Sequence, residues 1–92
     1  MIERQVRITN RLGLHARAAA QLVRTATVYE SALRLERVDG GASADAKSIL
    51  SVLLLAASCG TVLRATAEGV DEAEAMRALC ALIAAGFGEE KT

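Results

Sequence analysis

Apolar and polar positions along the chain follow two rhythms. Over residues 2–8, Ile2, Val6 and Ile8 fall on one side with Gln5 and Arg7 on the other, the period of two that predicts a half-buried strand. From Ala16 to about Tyr29 the spacing lengthens. Ala19, Leu22, Val23 and Ala26 recur at helical intervals with Arg17, Gln21 and Arg24 opposite, which predicts a helix with one apolar stripe. Alternation returns over 31–38, with Leu33 and Leu35 inward and Arg34 and Glu36 outward, and the turn signal Asp39-Gly40-Gly41 leads into a short partner strand. An apolar helix is predicted from about Ile49 to Ala57, ending near Gly60, and a fourth strand over 61–67. The last predicted helix opens on acids, which suit the positive end of its dipole, and buries Met76, Leu79, Cys80 and Ile83 before Gly86.

The order β-α-β-β-α-β-α predicts an α+β fold: a four-stranded, mostly antiparallel sheet with three helices on one face, an open-faced β-sandwich. With 92 residues and no linker, repeat or low-complexity tract, the chain reads as a single domain over 1–92. A domain of this size has no room for a deep substrate cavity, so its chemistry is expected at the surface.

The second helix is apolar in two directions. Ile49, Leu50 and Leu53 share one narrow sector of the helical wheel while Val52 and Leu55 point nearly the opposite way. Packing on a sheet cannot hide both sets. One of them faces solvent or a partner, unless the third helix or a loop covers it.

Composition removes several function classes. Eleven basic and eleven acidic residues cancel, and one Tyr, one Phe and no Trp leave no stacking platform, so neither nucleic acid nor an anionic membrane is an expected partner. Cys59 and Cys80 stand far apart with no histidine near either. They read as idle thiols of a reducing compartment rather than a metal site. The N-terminal segment lacks the apolar core of a signal peptide, and the longest apolar run, 49–58, is half of the roughly 20 residues a membrane span needs. A cytoplasmic location and no membrane insertion are expected.

The one histidine, His15, follows Gly13-Leu14 and precedes the first helix. Read plainly, it is a capping or surface residue. Its position also suits an anion, because the first backbone N–H groups of a helix have no partners and the dipole adds about half a positive charge. That charge disfavours imidazolium and so favours the nucleophilic, neutral ring. Histidine is a poor cap, costing on the order of 1 kcal/mol against Ser, Asp or Asn. A phosphoryl group accepted on the ring would account for the choice: orphan amides and the forked guanidinium of Arg17 would meet the dianion. Small residues at 13, 16 and 18–20 would leave the ring open. Ser48 stands before the second helix, where it reads as an ordinary N-cap; a phosphate there would add about two negative charges beside the apolar set.

With these residues in view, the chain resembles the HPr family, the histidine-containing phosphocarrier proteins of the bacterial phosphoenolpyruvate-dependent phosphotransferase system. The resemblance rests on GLHARAAAQLV around His15 and Arg17, AKSILSVLLLAASCGT around Ser48, and ATAEGVDEAEAM before the last helix. It implies a carrier, not an enzyme and without cofactor, that takes a phosphoryl group from enzyme I onto His15, aided by Arg17, and passes it to enzyme IIA proteins for sugar uptake or a nitrogen-type relay. It further implies a docking face of Ala16, Ala20 and Arg24 with Ile49, Leu50 and Leu53, regulatory phosphorylation of Ser48 where an HPr kinase/phosphorylase is present, and a monomer. A regulatory paralogue working mainly through Ser48, or a non-catalytic α+β interaction module, are the competing readings. The chain departs from the family in having Ala18 where proline is usual, and in a slightly longer hairpin turn at 38–42.

Overall fold

The structure is a computed structural model that describes residues 1–89. Strands β1 (Ile2–Arg7), β2 (Ala32–Arg37), β3 (Ser43–Asp45) and β4 (Val62–Glu68) form one sheet in the order β1-β4-β2-β3, with every neighbouring pair antiparallel. Helices α1 (Ala16–Thr27), α2 (Ile49–Leu54) and α3 (Glu72–Ala84) complete the predicted order. The α+β expectation is correct.

The alternation read from the sequence decides which side of the sheet the helices cover. Leu33 and Leu35 of β2 and Leu63, Ala65 and Ala67 of β4 are buried, packed into one core with Leu22 of α1 and Leu79 and Ile83 of α3. The register sets Leu33 opposite Ala67 and Leu35 opposite Ala65, so each large side chain meets a small one across the sheet. On the open face Arg64 of β4 pairs with Glu36 and, at 3.7 Å, with Glu3. Such solvent-screened pairs add little stability and serve mainly to keep that face wet.

Differences from the sequence reading lie at element ends. Helix α1 stops at Thr27 rather than near Tyr29, because the chain is drawn away: the Asp71 carboxylate accepts the backbone N–H of Glu30 and of Ser31, each at 2.9 Å, and the Ser31 hydroxyl. These donors, the Ser31 hydroxyl first and then the Glu30 amide, hold the Asp71 carboxyl below its ordinary value. Helix α2 ends at Leu54, three residues before the expected Ala57 and well before Gly60. There the Arg37 guanidinium donates to the carbonyls of Leu55 and Ala56, both at 3.0 Å, and Ala56 turns left-handed at φ 50°. A cation on the last carbonyls caps a helix as a glycine would, but from a distant strand. In α3 the buried stripe is Ala75, Met76, Leu79 and Ile83, with Cys80 only half-buried at its border.

Candidate functional site

Residues 8–15 lead from β1 into α1 and are fastened along their length. The Ile8 N–H bonds to the Thr61 carbonyl at 2.9 Å, and the Leu14 N–H to that of Ala57 at 2.8 Å. Gly13 makes this closeness possible. At φ +67° it sits in the left-handed region, and a Cβ on it would lie 2.5 Å from the Ala57 oxygen. Asn10, buried beneath the loop, donates from Nδ2 to the Gly13 carbonyl at 2.7 Å, while the Gly13 N–H returns a bond to the Asn10 carbonyl at 3.1 Å.

This loop delivers His15 to the N-cap of α1, as the sequence predicts. Its backbone is extended (φ −74°, ψ 177°), its carbonyl accepts the Ala19 N–H at 2.8 Å, and its ring Nδ1 accepts the backbone N–H of Arg17 at 3.3 Å. The helix beyond presents small residues: Ala16 is exposed, Ala20 half-buried, and Ala18 and Ala19 fully buried. Ala18, standing where the family usually has proline, therefore fills a core position.

The other ring nitrogen has a partner the sequence reading missed. After α3, Gly86, Phe87 and Gly88 all take left-handed backbone conformations, with φ 63°, 57° and 73°. For Phe87 this costs about 1–2 kcal/mol. Burying its ring, only 4% exposed, offsets that by about 2–3 kcal/mol. The resulting hook turns the chain back over residues 10–15 and brings Glu89 to the histidine. Glu89 Oε2 lies 2.6 Å from His15 Nε2 and accepts the second Asn10 Nδ2 proton at 3.0 Å. The His15 hydrogen bond is the main cause, ahead of that from Asn10, of a Glu89 carboxyl held below its ordinary value. A faint signal existed: the only phenylalanine in the chain stands between two glycines just past a helix end.

His15, Arg17 and Glu89 line one open hollow of about 540 Å³ with Arg11, Leu12, Phe87 and Gly88. Two guanidiniums against one carboxylate, at the positive end of a helix, suit an incoming dianion. Among the described residues no cluster of three or more His, Cys, Asp or Glu could hold a metal, and no helix is long and apolar enough to cross a membrane.

Ser48 caps α2, its hydroxyl accepting the Ser51 N–H at 3.4 Å. The two apolar directions of α2 separate as expected. Val52 and Leu55 are buried, whereas Ile49 and Leu50 are exposed. Leu53, expected among the outward set, is half-buried and packs partly against the core, while Leu54, absent from the expectation, is 69% exposed. Ala16, Ala20 and Arg24 run along one strip of α1, which packs against α2.

The fold and the site together define a small α+β domain with an accessible histidine at a helix start, built to carry a group rather than to enclose a substrate. The chain matches the family model "PTS HPr component phosphorylation site" over residues 2–85. It is 47% identical to the phosphocarrier protein HPr of Cupriavidus necator, covering 97% of this chain and 98% of that one. It is 40% identical to the phosphocarrier protein NPr of Shewanella violacea, over 96% and 94%. Among solved structures, HPr-C-His from Thermoanaerobacter tengcongensis superposes with a TM-score of 0.92 at 43% identity, covering 99% of this chain and all of that one. A structure described as an HPr dimer from the same organism matches with a TM-score of 0.76 at 43% identity, over 97% and 100%. The chain belongs to the HPr family. It is a phosphocarrier of the phosphotransferase system, a carrier and not a catalyst.

Proposed function

We propose that His15 accepts a phosphoryl group from phospho-enzyme I and donates it to enzyme IIA proteins in the cytoplasm, the chain acting as a monomer. One observation carries this reading: the imidazole stands at the N-terminus of α1, in an open hollow whose rim bears Arg11 and Arg17. Orphan amides and guanidiniums there neutralise a bound dianion, and Arg17, with no ion pair among the described residues, is free to hold two phosphoryl oxygens. The partner docks on the exposed apolar side of α2, Ile49, Leu50 and Leu54, with Leu53 at its edge and Ala16, Ala20 and Arg24 of α1 beside it. Ser48 begins that same helix, so a phosphate placed on it by an HPr kinase/phosphorylase would set negative charge at the border of the docking face. By the resemblance to the family, a nitrogen-type relay is a second destination for the phosphoryl group beside sugar uptake, and the similarity to a phosphocarrier protein NPr accords with it.

Intact mass after incubation with phosphoenolpyruvate and a bacterial enzyme I tests the proposal. The expected product carries one acid-labile phosphate, which is absent from His15→Ala. Arg17→Ala is expected to accept it about tenfold more slowly, the loss of one charge-assisted contact, with its melting unchanged. Phosphate on His15→Ala, or an unaltered rate in Arg17→Ala, would overturn the assignment of the respective residue.

A further inference from the structure

We infer that Glu89 is a positioning residue for phosphoryl transfer, fixing the His15 ring in the tautomer that offers Nδ1 as the nucleophile; this rests on the reading of His15 as acceptor. Two hydrogen bonds carry the argument. Nε2 lies 2.6 Å from a Glu89 carboxylate oxygen, which can only accept, so a neutral ring bears its proton on Nε2. Nδ1 in turn accepts the Arg17 backbone N–H at 3.3 Å, which requires a lone pair on that atom. The two contacts agree on one tautomer and leave Nδ1 as the basic nitrogen, at the helix N-terminus where a phosphoryl oxygen finds free amides.

Three features hold Glu89 in this role. The buried Phe87 anchors the hook, the left-handed backbone of Gly86 to Gly88 turns it, and Asn10 shares its amide protons between Gly13 and the Glu89 carboxylate. Asn10 thereby links the loop that presents His15 to the tail that orients it. Both Nδ2 protons are committed to these two acceptors, and the Oδ1 atom is buried with no hydrogen-bond partner among the described residues.

In the transfer step the Arg17 N–H lets go of Nδ1 and is free to meet a phosphoryl oxygen, while the released lone pair forms the N–P bond as the bond from phosphorus to the donor breaks, its electron pair staying with the donor. No proton leaves His15. The ring keeps its Nε2 hydrogen and becomes cationic, and the adjacent Glu89 carboxylate balances that charge; donation to the next protein reverses each change. The arrangement is the one by which a carboxylate orients a catalytic histidine and stabilises its imidazolium in acyl transfer.

The test uses the full chain with ¹⁵N-labelled histidine. In the wild type at a pH where the ring is neutral, the ¹⁵N spectrum is expected to show a protonated Nε2 and an unprotonated Nδ1. In Glu89→Ala the two tautomers are expected to mix, and acceptance from phospho-enzyme I to slow about tenfold, a charged hydrogen bond's contribution. Glu89→Gln, whose carbonyl can still accept from Nε2, is expected to restore the tautomer and part of the rate. A tautomer ratio unchanged in Glu89→Ala would overturn the inference, as would a shifted ratio with an unchanged rate. The spectrum needs no phosphoryl donor, so failure of the wild type to accept phosphate would count against His15 as acceptor and not against this tautomer assignment.

Discussion

Helices α1 and α2 pack against each other, yet their first turns are put to different uses. At α1 the cap is a histidine, held through one nitrogen by its own helix and through the other by Glu89 from the far end of the described chain, and the turn behind it is alanine apart from Arg17. At α2 the cap is a serine with one local bond, and the turn behind it is large and apolar, part buried and part bare. The same unpartnered amides serve both. What differs is how much of the surrounding structure is committed to the cap: a loop, a buried asparagine and an anchored tail at His15, and a single amide at Ser48. On the proposed reading, the first turn serves chemistry and the second contact.

The largest effect that sharpens this contrast lies in α2 and its C-cap. Leu55→Ala removes a fully buried side chain and is expected to cost about 2–5 kcal/mol in urea or thermal unfolding. Leu50→Ala, on the exposed side, is expected to stay within about 0.5 kcal/mol, while Leu50→Glu weakens enzyme I binding. Equal stability losses at both positions would erase the distinction between the two sides.

The start of α3 supplies an intermediate effect, because Asp71 spends its carboxylate on the loop after α1 rather than on its own helix. A carboxyl held low in the folded state adds stability above its unfolded value, ordinarily 3.8 for this group, and that stability is lost as the pH falls through its lowered folded value. Asp71→Asn should therefore melt lower than wild type at neutral pH, and the two melting curves should converge as the pH drops below about 4. Parallel curves across that range in circular dichroism would contradict the role of Asp71. Glu89, held low by His15, adds to the wild-type loss with the same sign.

The smallest effect concerns the caps themselves. Ser48→Ala should cost about 0.5 kcal/mol or less, since its bond is long at 3.4 Å. His15→Ala, which gives up a side-chain cap and the Glu89 contact, should cost about 1 kcal/mol while abolishing phosphoryl acceptance. A severe loss of stability in His15→Ala would mean that the histidine is kept for the fold.

Most of this architecture was legible from the spacing of apolar residues. Leu33 and Leu35 announce the buried side of β2, and the opposed sets on α2 announce an uncovered surface, because both follow from local periodicity. The end of α2 was not legible, since an arginine from β2 caps it. The helical wheel puts Leu53 too far out because it gives direction and not the depth of the neighbouring helix. His15, Arg17 and Ser48 stood out through their local positions at helix starts. Glu89 did not: in a charged tail it looks like any solvated acid, and only the fold brings it across more than seventy residues to the imidazole.

The central claim, that this chain carries a phosphoryl group rather than merely receiving one, is tested most directly by a chase. The chain is phosphorylated with enzyme I and phosphoenolpyruvate, separated from both, and mixed with an unphosphorylated enzyme IIA protein while intact masses of the two are followed. The account predicts that phosphate leaves His15 and appears in equal amount on the IIA protein. Phosphate that stays on the chain, or is lost only to water, would contradict it.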